Sequence, residues 1–506
     1  MRGGNFLHVT TRPIPRHVAQ VTGAGLFVVF VGLFLAFVVQ CASPYAGGAD
    51  SSGYMNAARL LREGRWADEV RWIEGLSAPA WDTYRQQPIG FESDRRTGAL
   101  RPIYPIGFPL HLAAASTLVG LNNAPVLVNV LMVLGSGVLI VVLGRTLLLP
   151  WPWALASVPL LWCSPVFALH ALTPMSDLPA AVWVLASVVL ATRCRIHPVW
   201  GAGAGIALAV AIAIRPTDVL AIAPIALVIG SRWRGWSALG ATTVPLVSMI
   251  AWYNWRQFGS PFSTGYGAVG GFFKPDYVLP NASHFGTELF MLLSPPVAAM
   301  ALGLPLLRKR FPSAFRMTVA WVGAFVGFYL FYYFSSQAWW SLRFILPVFP
   351  ILIIAALLVA HELHGRFLAD KPFLRTIPIL LLSAVLIWDL GLARLRSVHR
   401  LHYSDAAYRQ ITDWTEANVP RDAIIVAVQL SGAFTFYTDL TVVRWDAVTA
   451  SNSWGRLEEA ARRLDRPIYA VLYDFEIEEG LANPARRSWK QIVRINQMSA
   501  WQLDSR

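Results

Sequence analysis

The chain has 506 residues, 55% of them hydrophobic and only 14% charged, and it carries a net charge of +13. Soluble domains average about 45–50% apolar and about 25% charged residues, so an ordinary soluble enzyme, a disordered chain and a fibrous protein are all excluded. What remains is a protein whose solvent is mostly lipid. Its positive charge falls in short clusters between apolar runs, a pattern that sets membrane orientation, and no nucleic-acid partner is expected. Cys41, Cys163 and Cys194 show no CxxC spacing and read as small apolar packing residues.

The first apolar run, centred near Phe30, is too long for a signal-peptide core and reads as a retained helix. Further runs centre near Leu134, Leu160, Leu185, Ala207, Ile225, Val247, Leu292, Phe325, Ile354 and Leu382. At about 20 residues per crossing they predict about eleven spans. Arg2, Arg12 and Arg16 place the N-terminus inside. The inside loops then hold Arg145; Arg193 and Arg195; Arg232 and Arg234; Arg308, Lys309, Arg310 and Arg316; and Arg366, Lys371 and Arg375. The apolar stretch Ile103–Leu121 opens with Tyr104-Pro105-Ile106-Gly107-Phe108-Pro109. If it crossed, nearly every basic cluster would move outside, so it reads as a juxtamembrane helix on the outer face. An odd number of crossings puts the C-terminus outside.

The expected fold is a polytopic α-helical membrane protein with about 11 transmembrane helices and outer juxtamembrane helices, spanning residues 1–396. A small extracytoplasmic α/β domain, residues 397–506, follows it. The outer loop 42–101 is rich in Trp, Arg and Asp. The tail shows β-rich runs at Ala423–Val428, Thr441–Trp445 and Ile468–Tyr473, separated by helical patterns near Asp405–Asn418 and Gly455–Leu464. No internal repeat is evident, which weakens an inverted-repeat transporter.

Two acids fall at the outer face. Asp50 lies in Gly48-Ala49-Asp50-Ser51-Ser52-Gly53-Tyr54, just past the first span. Ser51 or Ser52 can cap a helix there, with Tyr54, Ala57, Ala58 and Leu61 on one face. Asp177 lies in the tight outer turn Thr173-Pro174-Met175-Ser176-Asp177-Leu178-Pro179. Both acids admit two readings: a helix cap, or a pair that shares base and support roles or holds a divalent cation. Arg101, Arg215 and Arg343 lie at outer-face or intramembrane depth, where a charge needs a partner or a task. A guanidinium there either snorkels to the interface or grips a phosphate bidentately. Trp339 and Trp340, in the turn before Arg343, suit a sugar face or the interfacial aromatic belt alike. No phosphate loop, GxGxxG, HExxH or CxxC pair is present. Asn281-Ala282-Ser283 fits a glycosylation sequon.

The order of these motifs carries a resemblance. Asp50-x-x-x-Tyr54-x-x-Ala57-x-x-Leu60-x-x-x-Gly64 is followed by the Tyr104–Pro109 stretch and by Ser176-Asp177-Leu178-Pro179. Then come Arg215-Pro216-Thr217, Asn254-Trp255-Arg256-Gln257-Phe258-Gly259-Ser260-Pro261 and Arg343-Phe344-x-Leu346-Pro347-x-x-Pro350. Over about residues 20–395 the chain resembles the GT-C superfamily of multi-span glycosyltransferases. It looks most like the bacterial branch related to aminoarabinose lipid A transferases and dolichyl-phosphate-mannose protein mannosyltransferases. The resemblance implies a polyprenyl-phosphate-linked sugar donor, a glycan, lipid or protein acceptor, and inverting transfer on the outer face of the plasma membrane.

It also carries roles onto residues. Asp50 would be the general base and Asp177 its support. Arg343, with Arg101 and Arg215, would hold the donor phosphate. Tyr54, Tyr104, Trp339 and Trp340 are the candidate substrate contacts. Asp50 is followed by Ser51, where relatives commonly carry a second acid, which argues against an obligatory metal. A divalent cation, Mg or Mn, between Asp50 and Asp177 stays an open alternative, as does a transporter or flippase of lipid-linked sugars.

Overall fold

The computed structural model describes residues 16–76, 81–94, 97–267, 269–368, 374, 376–482 and 488–504. Arg2, Arg12, Lys371 and Arg375, which enter the orientation argument, lie outside the described residues. The chain begins with a long apolar helix, α1 (Arg16–Cys41), and the shorter amphipathic α2 (Gly48–Arg62). A small antiparallel sheet follows, with β3 (Ala99–Pro102) paired between β1 (Asp68–Glu69) and β2 (Phe91–Ser93). Next come α3 (Gly107–Val119), α4 (Ala124–Thr146), α5 (Trp151–Trp162), α6 (Pro165–Leu172), α7 (Asp177–Arg193) and α8 (Val199–Ile214). The helical part continues with α9 (Ile222–Ile229), α10 (Trp233–Phe258), α11 (Val278–Leu292), α12 (Pro295–Leu302), α13 (Pro312–Tyr329), α14 (Phe349–Phe367) and α15 (Ile377–Leu395).

Each expected apolar centre falls on one of these helices, but length separates them. Among the described residues, four helical stretches are long and apolar enough to cross a bilayer: Gly23–Cys41, Ala124–Thr146, Trp339–Phe367 and Ile377–Leu395. A fifth is added if α5 and α6, bent by 64°, count as one broken span. Of the others, α7 has 17 residues, α8 has 16 and α9 has 8, whereas α10 with 26 and α13 with 18 are long enough but less apolar. Proline accounts for several breaks, because it removes a donor and clashes with the preceding turn. Pro165 opens α6, and Pro216 ends α8 and starts a 3₁₀ turn. The Ile103–Leu121 stretch gives the 13-residue α3, about 20 Å long at 1.5 Å per residue and short of a hydrocarbon core of about 30 Å. Only 11% of the apolar window of α1, and 11% of that of α15, is buried inside the protein, so lipid must cover the remainder.

From Val398 the chain builds an α/β unit. It contains α16 (Leu401–Asn418), β4 (Ile424–Val426), α17 (Ser431–Tyr437), β5 (Thr441–Val443), α18 (Trp445–Ala450), α19 (Trp454–Arg463), β6 (Ile468–Tyr473), β7 (Trp489–Ile495) and β8 (Met498–Leu503). The strand order is β5-β4-β6-β8-β7, with β4 parallel to β5 and β6 and the last three strands antiparallel. The three β-rich runs expected from the sequence become β4, β5 and β6. The sequence reading missed β7 and β8, which turn on Asn496, held at φ +53°. The largest apolar core fills most of the helical part, a second lies between α2, α3 and α4, and separate clusters fill the two faces of the C-terminal sheet.

Candidate active site

Helix α2 starts at Gly48, so Asp50 lies inside its first turn and Gly47, at the N-cap, makes no side-chain capping bond. Neither Ser51 nor Ser52 is the cap: Ser52 donates back to the carbonyls of Gly48 and Ala49 within the helix. The Asp50 carboxylate sits where the helix macrodipole favours an anion. Its Oδ1 accepts a 2.8 Å hydrogen bond from the Tyr104 hydroxyl, and its Oδ2 lies 3.3 Å from the Arg343 guanidinium. Tyr104 reaches Asp50 because residue 53 is glycine: a Cβ there would stand 2.1 Å from the Tyr104 ring. Burial, and next the charge of Asp50, push the Tyr104 hydroxyl far above its usual range. It therefore stays protonated and donates. Tyr54 packs between Tyr104, tilted at 41°, and Phe108, edge-on at 80°, with ring centroids 4.6 and 5.0 Å away.

Asp177 is the first residue of α7, and Ser176 before it makes no capping bond. The Ser176 hydroxyl instead accepts from the Tyr54 hydroxyl at 2.9 Å, which ties α2 to the start of α7. Arg215 follows α8 directly, and Pro216 turns the chain so that its guanidinium meets Asp177 Oδ1 at 2.5 Å. Arg343 lies in the 3₁₀ stretch Trp339–Val348 that leads into α14, with its Nε 4.0 Å from the same Asp177 oxygen. It stacks on Trp340 and Phe344 at 5.1 and 5.0 Å, while Arg215 lies over the same Phe344 ring at 5.7 Å.

Asp50, Asp177, Arg215 and Arg343, far apart in sequence, thus form one quartet whose formal charges cancel. Its members differ in access. The Asp177 side chain is 0% exposed, Arg215 15%, Arg343 18% and Asp50 36%. Only one of the two acids is open to a reactant.

The sequence reading missed His170 on α6, whose Nδ1 lies 3.6 Å from Asp177 Oδ2 and whose two ring nitrogens have no hydrogen-bond partner. A buried histidine in an apolar helix is the only signal that marks it. Other candidates lie elsewhere. Arg101, on β3, pairs with Asp94 at 2.6 Å, and among the described residues no contact joins it to the quartet. Trp339 packs under Arg396 at 5.5 Å. The Asn281 of the sequon is fully buried, donating to the carbonyls of Leu330 and Tyr332 at 2.8 Å, so that side chain is not open to a glycan.

Each carboxylate already faces a guanidinium, and among the described residues no group of three or more His, Cys, Asp or Glu side chains gathers, so the protein alone offers no closed cage for a divalent cation. An apolar cavity of about 530 Å³ between α5, α12, α14 and α15 shares no lining residue with the quartet.

With this geometry in view, the fold can be placed. It is the fold of the solved ArnT structures. The solved structure of ArnT from Cupriavidus metallidurans bound to undecaprenyl phosphate matches with a TM-score of 0.62 at 15% identity, covering 94% of this chain and 98% of that one. The apo structure of ArnT from the same organism matches with a TM-score of 0.61 at 15% identity, covering 96% and 99%. No family model and no curated protein matches the sequence.

Proposed function

We propose that this chain is an integral membrane glycosyltransferase that moves a sugar from a polyprenyl-phosphate donor to an envelope glycan, lipid or protein on the outer face of the plasma membrane. One observation carries the reading: a half-open carboxylate, Asp50, stands beside a guanidinium pair anchored on a sealed carboxylate, Asp177. The fold of ArnT, solved with undecaprenyl phosphate, supports the choice of donor class. In the orientation that suits this reading, the N-terminus is cytoplasmic and the quartet and the C-terminal region lie outside. Reporter fusions after Arg195, Arg234 and Leu401 test this; an internal reporter after Leu401 would overturn it.

The chemistry follows from the parts. The acceptor oxygen attacks the anomeric carbon from the side opposite the phosphate, and the hydroxyl proton passes to Asp50. The bond from that carbon to the phosphate oxygen breaks, and its electron pair leaves with the phosphate. The configuration inverts. A phosphate is already a good leaving group, so the demand is for a base at one end and fixed positive charge at the other. Arg343, the more exposed guanidinium, would grip the phosphate, and Arg215 would add charge behind it. Asp177 touches no reactant; it positions both arginines. Tyr104 fixes the rotamer of Asp50, and Trp340 offers a ring beside the phosphate. No step runs through a metal.

Mass spectrometry of envelope glycans from cells with and without the protein tests the proposal. A glycan that disappears with the protein and returns with the wild-type chain, but not with Asp50→Asn, is the expected result. An unchanged envelope would overturn it.

A further inference from the structure

The C-terminal region is joined to the segment that carries Asp50 by an unusually direct set of contacts. Helix α17 lies along α2, and the seam is closed by hydrogen bonds between side chains and backbone. The Asn56 side chain, fully buried on α2, donates to the carbonyl of Gly432 at 3.0 Å and to that of Ser52 at 2.9 Å. Ahead of α2, the Ala46 amide donates to the Tyr437 hydroxyl at 2.9 Å. Across the outer loop, the Ile89 amide donates to the Ser431 hydroxyl at 2.9 Å. The approach is so close that residue 432 must be glycine: a Cβ there would stand 2.2 Å from Ser52 Oγ and 3.1 Å from the Ile89 carbonyl. Ser52 is two residues from Asp50.

The far side of α17 is equally constrained. Ala433 and Phe434 are fully buried in the core of the C-terminal sheet, with Leu430, and α17 links β4 to β5, which pair with each other, β4 lying between β5 and β6. A site is held to within a fraction of an ångström only when its support is locked in turn. Here the lock is a packed sheet.

We propose that α17 is a positioning element for the base: through Gly432, Ser431 and Tyr437 it sets where α2 places the Asp50 carboxylate. The C-terminal region would thus serve the chemistry without touching a reactant. The inference rests on the reading of Asp50 as the base. The phosphate-binding arginines are carried by other elements, Arg215 after α8 and Arg343 before α14, so a fault in the α17 seam should misplace the base and spare the phosphate grip.

That separation gives the test. Full-length Gly432→Ala, Tyr437→Phe, Asp50→Asn and the double variant Gly432→Ala/Ser52→Gly are purified in detergent. Undecaprenyl phosphate binding is read from tryptophan fluorescence, and transfer is read in membranes as the rate of formation of the glycan that depends on the protein. Because a misplacement of about 1 Å can cost on the order of 10²-fold in rate, Gly432→Ala should lose at least about tenfold in kcat while its undecaprenyl phosphate affinity falls by no more than about twofold. Removing the Ser52 side chain that the new methyl strikes should restore most of the rate. If Gly432→Ala does not fold, Tyr437→Phe decides, because it removes only the hydroxyl that the Ala46 amide bonds and should lower kcat without weakening phosphate affinity. A wild-type rate in the folded seam variant, a parallel loss of rate and phosphate affinity, or no rescue by Ser52→Gly in a folded Gly432→Ala would overturn the positioning role. Full transfer by Asp50→Asn would instead overturn the base itself, so the two failures are distinguishable.

Discussion

Two isosteric substitutions in the same quartet should do opposite things. Asp177 is sealed, with its Oδ1 2.5 Å from Arg215 and 4.0 Å from Arg343, and with Oδ2 3.6 Å from His170. Asp177→Asn removes the charge paired directly with a guanidinium only 15% exposed. Breaking a buried pair by deleting one partner costs about 3–5 kcal/mol. Asp50 is 36% exposed and its contact to Arg343 is long, at 3.3 Å; such open pairs contribute only about 0–1 kcal/mol. Asp50→Asn should therefore unfold nearly as the wild type does, while its transfer rate falls on the order of 10²–10⁴-fold, the share of a general base. Asp177→Asn should unfold at clearly lower temperature or denaturant. The assay is unfolding of the purified variants in detergent, followed by tryptophan fluorescence, beside transfer in membranes. If Asp177→Asn unfolds like the wild type, the sealed carboxylate does not anchor the arginines. If Asp50→Asn is as unstable as Asp177→Asn, its loss of rate says nothing about proton transfer.

Arg343→Ala should weaken undecaprenyl phosphate binding by about tenfold or more, since a charge-assisted contact contributes about 1.5–3 kcal/mol, and Arg343→Lys should weaken it less, keeping charge but losing the fork; equal affinity in all three would mean that Arg343 grips no phosphate. Asp50→Asn should bind undecaprenyl phosphate more tightly than the wild type, because its amide no longer competes for Arg343, and an unchanged affinity would refute that competition. Burial pushes the Asp405 carboxyl, on α16 beside Ser43, up to about 6. The folded state then favours its protonated form, so stability is greatest below the ordinary carboxylate range and is lost as pH rises through about 6. Unfolding midpoints at pH 5 and 7.5 should differ in the wild type and converge in Asp405→Asn; the same pH dependence in both refutes the assignment.

How much of this was legible depended on how rare each signal is in so apolar a chain. Asp50, Asp177, Arg215 and Arg343 stand out because few charges interrupt the apolar runs, and a charge at the lipid boundary needs a reason. What the sequence could not show is who pairs with whom. Asp177 meets Arg215 across 38 positions and Arg343 meets Asp50 across 293, distances that only helix packing closes. Arg101 looked like a member of the set, yet its partner Asp94 is seven positions away across a turn. His170 was hidden because a single histidine has no periodicity or motif. Apolar centres located the helices, but their lengths escaped notice because proline-bounded pieces such as α5 and α6 read as continuous hydropathy. The β7–β8 hairpin was lost because Trp489–Ile495 mixes Lys, Gln and Arg among its apolar residues, so the strand lacks a clean alternation.

The charge balance of the quartet bears on the order of events in the proposed reaction. Two carboxylates and two guanidiniums cancel, so the site holds no net positive charge to attract an anion from a distance. An arriving phosphate must win a guanidinium from a carboxylate already there. Arg215 is the poor candidate: it is bonded to Asp177 at 2.5 Å and braced by the Arg343 carbonyl at 3.4 Å. Arg343 is the good one, because both its carboxylate contacts are long and its Nε, though buried, has no hydrogen-bond partner. On the proposed reading, a phosphate that draws Arg343 toward itself also takes it from Asp50 Oδ2. The Tyr104 hydroxyl continues to hold Oδ1, so the carboxylate keeps its rotamer while the released oxygen turns free for the acceptor hydroxyl. The same guanidinium that receives the leaving group thus uncovers the base, which makes donor binding the event that readies the site for its acceptor.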